Sequence, residues 1–254
     1  MLFRSGIGFI FLITGTSYVL SAISEMFIRT VSHEKNQNKL TLGLAFKEFG
    51  DGFAFILQKQ GMLIFVIVVL IINMLAAPLF GVAQPYFFNQ VVQSEPWVYS
   101  LIGFAFSTGS ILMAIVLSRR TPSALVNRPL RSGLLGFTLG VGLNGLIVFG
   151  YEQGIFNMVI LVGLMLIVGF GIGIMITYVN TPIGVALQRY VPKDKLGRVN
   201  SIINLMAIGV IPFSTALAGV LIENLTLPFF YGIVALGMGI ASIISFQSKS
   251  LRYF

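Results

Sequence analysis

Seven runs of mainly apolar residues, at about 6–28, 62–89, 97–118, 132–151, 155–180, 199–222 and 227–247, decide what this chain can fold into. Each is near or above the ~20 residues that a helix rising ~1.5 Å per residue needs to cross ~30 Å of hydrocarbon. No Asp, Glu, His, Lys or Arg falls near the middle of any run, and Glu25, at the end of the first, comes closest. Barrel strands alternate every second residue over about ten positions, whereas these runs are apolar on every side. In lipid each backbone donor and acceptor must be bonded within its own segment, so the runs read as helices. The expected fold class is an all-α membrane protein with about seven transmembrane helices. Composition points the same way: 56% of the 254 residues are hydrophobic and 9% charged, against roughly 25% charged in ordinary soluble domains.

The placement of Lys and Arg orients the spans. Arg29, Lys35, Lys39, Lys47 and Lys59 follow the first, Arg119, Arg120, Arg128 and Arg131 the third, Arg189, Lys193, Lys195 and Arg198 the fifth, and Lys249 and Arg252 the last. The intervening loops are short and hold Glu95, Glu152 and Glu223 with no basic residue. That alternation satisfies the positive-inside rule and predicts a cytoplasmic carboxyl terminus. Arg4 alone lies on the other side, and residues 1–24 also admit a signal-peptide reading. Basic residues dispersed between apolar runs do not form the single patch that nucleic acid requires.

The one long polar stretch, about residues 29–61, contains Phe46, Phe49, Phe53, Ile56 and Leu57 at helical spacing, with Lys47, Glu48, Asp51 and Gln58 elsewhere on the wheel. It reads either as a short amphipathic helix on the cytoplasmic membrane face or as a solvated linker. The expected organisation is thus a first transmembrane helix at 1–28, this linker at 29–61, and a six-helix bundle at 62–254.

Polar residues inside the spans are few. Asn73 and Gln84 are eleven residues apart in span two and project within about 20° of one another. Pro78 and Pro85 interrupt the same segment; each removes a backbone donor, tolerated in a membrane where the freed carbonyl faces protein or a water-filled cavity. In span five Gly169, Gly173, Ile176 and Asn180 share a face, with Tyr178 and Gly171 nearby and Pro182 closing the segment. Spans two to four and five to seven therefore form two triplets, each led by a helix interrupted by Gly or Pro, the arrangement that marks binding sites in transporters built from repeats. Close helix packing explains the glycines equally well. Asn73, Gln84, Asn144, Tyr178 and Asn180 are the candidates for lining a substrate pathway. Pro78, Pro85, Gly169, Gly171, Gly173 and Pro182 are the candidate hinges.

Cysteine is absent, which excludes disulfides, thiolate metal sites and cysteine nucleophiles. The single histidine, His33, stands in the polar stretch, and neither paired carboxylates nor a phosphate-cradling loop is seen. No enzyme activity, metal or cofactor is expected.

After span five the chain reads Gln188-Arg189-Tyr190-Val191-Pro192, then Gly197-Arg198-Val199-Asn200-Ser201, followed by a helix with Pro212 and Ala218-Gly219. This resembles the carboxyl-terminal half of a major facilitator superfamily transporter, and more closely the bacterial efflux branch that includes enterobactin exporters and macrolide efflux proteins. Lys47 to Gly52 and Gly103 to Arg120 add to the likeness. The resemblance implies that span one corresponds to the sixth helix of a twelve-helix transporter, residues 29–61 to the central linker, and spans two to seven to the second bundle. It also implies a cytoplasmic loop motif at Arg119, Arg120, Arg189 and Arg198, efflux or antiport across the plasma membrane, and a truncated or partial transporter that works with the missing amino-terminal bundle or another subunit. The chain departs from the family after span three, where the acidic member of the Gly-x-x-x-Asp-Arg motif is missing. The expected partners are the lipid bilayer and a small amphipathic substrate. A non-transporting remnant and a seven-helix receptor or interaction protein are the rival readings.

Overall fold

The computed structural model describes residues 2–27, 42–119 and 127–247, and every regular element among them is helical. The chain divides into two compact units, Met1–Leu42 and Gly43–Phe254. The first contains helix α1 (Leu2–Met26), with apolar residues such as Phe11, Leu12 and Val19 exposed.

The second unit begins within the first turn of α2 (Leu42–Gln58), so a helix forms within the stretch read as an amphipathic helix or a linker. Lys59 alone separates it from α3 (Gln60–Pro78), which continues through a π-helical turn (Leu79–Ala83), a short α4 (Gln84–Tyr86) and a second π turn (Phe87–Val91) as one span, Gln60–Val91. There follow α5 (Pro96–Ser118), α6 (Asn127–Glu152), α7 (Met158–Tyr190), α8 (Lys193–Gly209), α9 (Ile211–Asn224) and α10 (Leu227–Gln247). Helices α8 and α9 run on as a single span, Lys193–Asn224, broken at Val210 just before Pro212. Among the described residues six helices are long and apolar enough to cross a membrane. They correspond to the six predicted spans after the first; α1, a helix of 25 residues, corresponds to the first.

Helix boundaries differ from the sequence reading at one telling place. Pro182 does not close span five: α7 passes through it and continues to Tyr190. A single proline costs one backbone bond and a clash with the preceding turn, which a helix of 33 residues absorbs. Nor does Arg198 lie in a loop, since α8 begins at Lys193 and only Val191 and Pro192 join it to α7. Pro78 and Pro85, in contrast, do accompany irregular backbone. The Gln84 amide reaches back five residues to the Leu79 carbonyl. The next amide in that register would serve Phe80, but it belongs to Pro85 and does not exist. The hydroxyl of Tyr99 on α5 donates to the Phe80 carbonyl instead, at 3.3 Å.

Helix α7 packs against α5 and α6, α10 against α6, and α3 against α9 and α10. The α5–α7 contact is made by glycine. A Cβ at Gly173 would collide with the Phe106 carbonyl and one at Gly109 with the Phe170 carbonyl, while Ser110 Oγ donates to the Gly173 carbonyl at 3.2 Å. Small residues let backbones approach this closely, and in lipid such packing replaces hydrophobic burial as the force that holds helices together.

Two apolar clusters form the interior. One is built around Phe87, Val148, Leu161, Met165, Tyr231 and Met238, the other around Ile56, Met62, Phe65, Leu130, Val191 and Ile202. Tyr231 is 1% exposed and its hydroxyl has no hydrogen-bond partner among the described residues. Leaving a buried hydroxyl unpaired costs roughly 1–3 kcal/mol. Replacing Tyr231 by Phe is therefore expected to raise thermal stability in detergent by about 1–2 kcal/mol. A lowered melting temperature would show that the hydroxyl has a partner after all.

Much of the outer surface is apolar. Leu139 and Leu146 on α6, Val159 and Ile167 on α7, Phe213 on α9 and Leu236 on α10 are all at least 66% exposed. Side chains of this kind facing outward around long apolar helices fit a surround of acyl chains, and a soluble monomer rarely exposes apolar patches of this extent.

Candidate functional site

Where the two apolar clusters meet, α3, α6 and α7 enclose a cavity of about 170 Å³. Val69, Ile72, Asn73 and Ala76 line it from α3, Leu130, Leu134 and Phe137 from α6, and Met175, Ile176, Val179, Asn180 and Ile183 from α7. Asn73 and Asn180, singled out in two different spans by their polarity, thus face one space. Among the described residues they are its only polar side chains, and no described titratable group lines it.

The two amides are presented differently. Asn73 is half-buried, and its Nδ2 donates to the Val69 carbonyl one turn earlier at 2.9 Å. That bond occupies part of its donor capacity and leaves Oδ1 as an acceptor. Asn180 is exposed and bonds to no described residue, so both ends of its amide are available. A cavity walled by aliphatic side chains, with one acceptor on α3 and a donor–acceptor pair on α7, fits a mostly apolar guest carrying a neutral hydrogen-bonding group.

The other candidates lie elsewhere. Gln84 is buried between the two π turns, eleven residues beyond Asn73, and does not reach the cavity. Asn144 is buried at 3% exposure within α6. Tyr178 packs toward α6, where a Cβ on Gly133 would meet its ring at 3.4 Å. Gly171 has open space beside it, and Gly169 and Gly173 serve the contact with α5. Of the basic loop residues, Arg119 caps α5, Arg189 sits in the last turn of α7, and Arg120 lies outside the described residues.

Arg198 is engaged in a way its sequence context does not reveal. Its Nη2 donates to Glu48 Oε1 at 2.7 Å, the one ion pair among the described residues, tying α8 to α2. Both side chains are about 40% exposed, so its value is specificity of docking more than stability. Gly52 makes the docking close, since a Cβ there would meet Ile202 at 2.6 Å and Arg198 at 3.4 Å. Sequence polarity identified Glu48 only as part of a wet face; its partner is 150 residues away.

Six helices long and apolar enough to cross a membrane, together with a largely apolar exterior, mark a multi-pass, all-α membrane protein. A scan against protein-family models and searches of curated proteins and of solved structures return no match.

Proposed function

We propose that the bundle is one half of an alternating-access transporter that expels small neutral or amphipathic compounds across the plasma membrane. The observation that carries this reading is the convergence of Asn73 and Asn180 on one otherwise apolar cavity, one of them on the helix that π turns interrupt. Its volume of about 170 Å³ is below the ~300–1,000 Å³ of complete small-molecule sites. A second bundle, from the same polypeptide or another subunit, supplies the remaining wall, and the two rock about the shared site. Support for this reading also comes from the likeness to the major facilitator efflux branch. The bias of basic residues to alternate loops supports a cytoplasmic carboxyl terminus.

The test is binding of N-phenyl-1-naphthylamine, a neutral amphipathic dye, to the purified full chain in nanodiscs, alongside dye efflux from cells that express it. The double variant Asn73→Leu/Asn180→Leu is expected to weaken binding about tenfold, the equivalent of one or two lost hydrogen bonds, and to lower efflux in step. Undiminished binding by a correctly folded double variant, or no binding by the parent chain, would overturn the proposal.

A further inference from the structure

A second feature stands apart from the cavity. The ammonium of Lys59 lies 5.1 Å from the centre of the Phe55 ring, and that of Lys195 lies 5.3 Å from the same centre. Phe55 is 9% exposed and belongs to the apolar cluster shared by α2, α3 and α8. Each lysine is thus anchored on an aromatic surface that is itself fixed by packing. As both nitrogens lie within 5.3 Å of one point, they are separated by at most twice that distance.

Two like charges held together call for a counter-ion. Among the described residues no carboxylate pairs with either ammonium: Glu48 is committed to Arg198, and Asp51 and Asp194, the nearest in sequence, form no ion pair. The position is equally specific. Lys59 immediately precedes the span Gln60–Val91, and Lys195 lies in the first turn of the span Lys193–Asn224. The pair therefore marks the boundary where two neighbouring spans leave the hydrocarbon. The anion present at that depth in a bilayer is the headgroup phosphodiester, and basic pockets between spans are suited to it.

We propose that Lys59 and Lys195 form a site for the phosphodiester of an anionic phospholipid, with Phe55 as its floor. Each ammonium donates to a separate non-bridging oxygen, and the acyl chains follow the apolar flank of the bundle. The ring stabilises the cations by its π face without neutralising them, so the pair stays available to phosphate. Lys47, exposed on α2, has no such ring contact among the described residues and serves as the comparison charge.

The full chain in neutral detergent is titrated with phosphatidylglycerol, with phosphatidylcholine, and with inorganic phosphate, and bound lipid is read by native mass spectrometry. Phosphatidylglycerol is expected to bind at least about tenfold more tightly than phosphatidylcholine, and millimolar phosphate is expected not to displace it. Lys59→Gln/Lys195→Gln is expected to remove that preference, Lys59→Arg/Lys195→Arg to keep it, and Lys47→Gln to leave it within about twofold. Equal binding of the two lipids, displacement by free phosphate, or the same loss in Lys47→Gln as in the paired variant would each overturn the proposal. Melting temperatures of the lipid-free variants separate loss of the site from loss of the fold.

Discussion

Replacing Gly173 by Ala is expected to destabilise the bundle by about 3 kcal/mol or more, whereas Gly171→Ala, two residues away, is expected to be neutral or slightly stabilising. The two glycines share a helix and differ in surroundings. A Cβ at Gly173 meets the carbonyl of Phe106 on α5, whose backbone cannot rotate aside as a side chain would; at Gly171 no atom lies within 4 Å. Relief of the clash requires α5 and α7 to separate. The reciprocal approach at Gly109 and the bond from Ser110 to the Gly173 carbonyl would then be lost together. Without a hydrophobic force between helices in lipid, nothing compensates for that loss of packing. Thermal unfolding and the monodisperse fraction after size-exclusion chromatography in detergent measure the difference. Similar melting temperatures for the two variants would show that the contact does not hold the bundle together.

The second large effect concerns Arg131. Its Nη2 donates to the Phe246 carbonyl at 2.6 Å and its Nε to the Ser245 carbonyl at 3.3 Å, with the guanidinium 5.1 Å from the centre of the Phe246 ring. The last carbonyls of a helix have no intrahelical partner, and positive charge beside them is favourable. Arg131 on α6 thereby closes the end of α10. Its replacement by Leu is expected to cost about 2 kcal/mol, read as a lowered melting temperature in detergent. Arg131→Lys is expected to recover less than half of this, because a lysine does not present the planar fork that reaches two carbonyls at once. Full rescue by Lys would reduce the residue to a charge near a helix end.

These residues also show what a linear reading of the chain contains and what it omits. Charge-free apolar runs specify helices because lipid leaves the backbone no other way to satisfy itself, so the six spans of the bundle were legible, as was an irregular backbone around Pro78 and Pro85. Asn73 and Asn180 were legible because an amide between aliphatic residues in a span is costly enough to need a reason. Gln84, Asn144 and Tyr178 were candidates for the same pathway, yet helical periodicity gives only the angle at which a side chain leaves its own axis. Which neighbour occupies that angle is set by packing between helices distant in sequence, and there Asn144 meets a filled core while Asn180 meets a void. The same limit hid Arg131 and Arg198. Counted as basic residues they report only a side of the membrane, whereas their partners lie more than a hundred residues away. Pro182 misled because a rule about local backbone was applied where a long helix, held along its length by α5 and α6, outweighs one missing bond.

The single residue between α2 and α3 has a mechanical consequence. With α2 clamped to α8 by Glu48 and Arg198, and only Lys59 between α2 and α3, the three helices form a braced corner at one end of the span. Tilting of α3 as a rod would have to shear that brace. Compliance belongs instead to the far half of the span, where the π turns between Leu79 and Val91 already depart from regular pitch, and Asn73 stands on the regular helix close to where that irregular stretch begins.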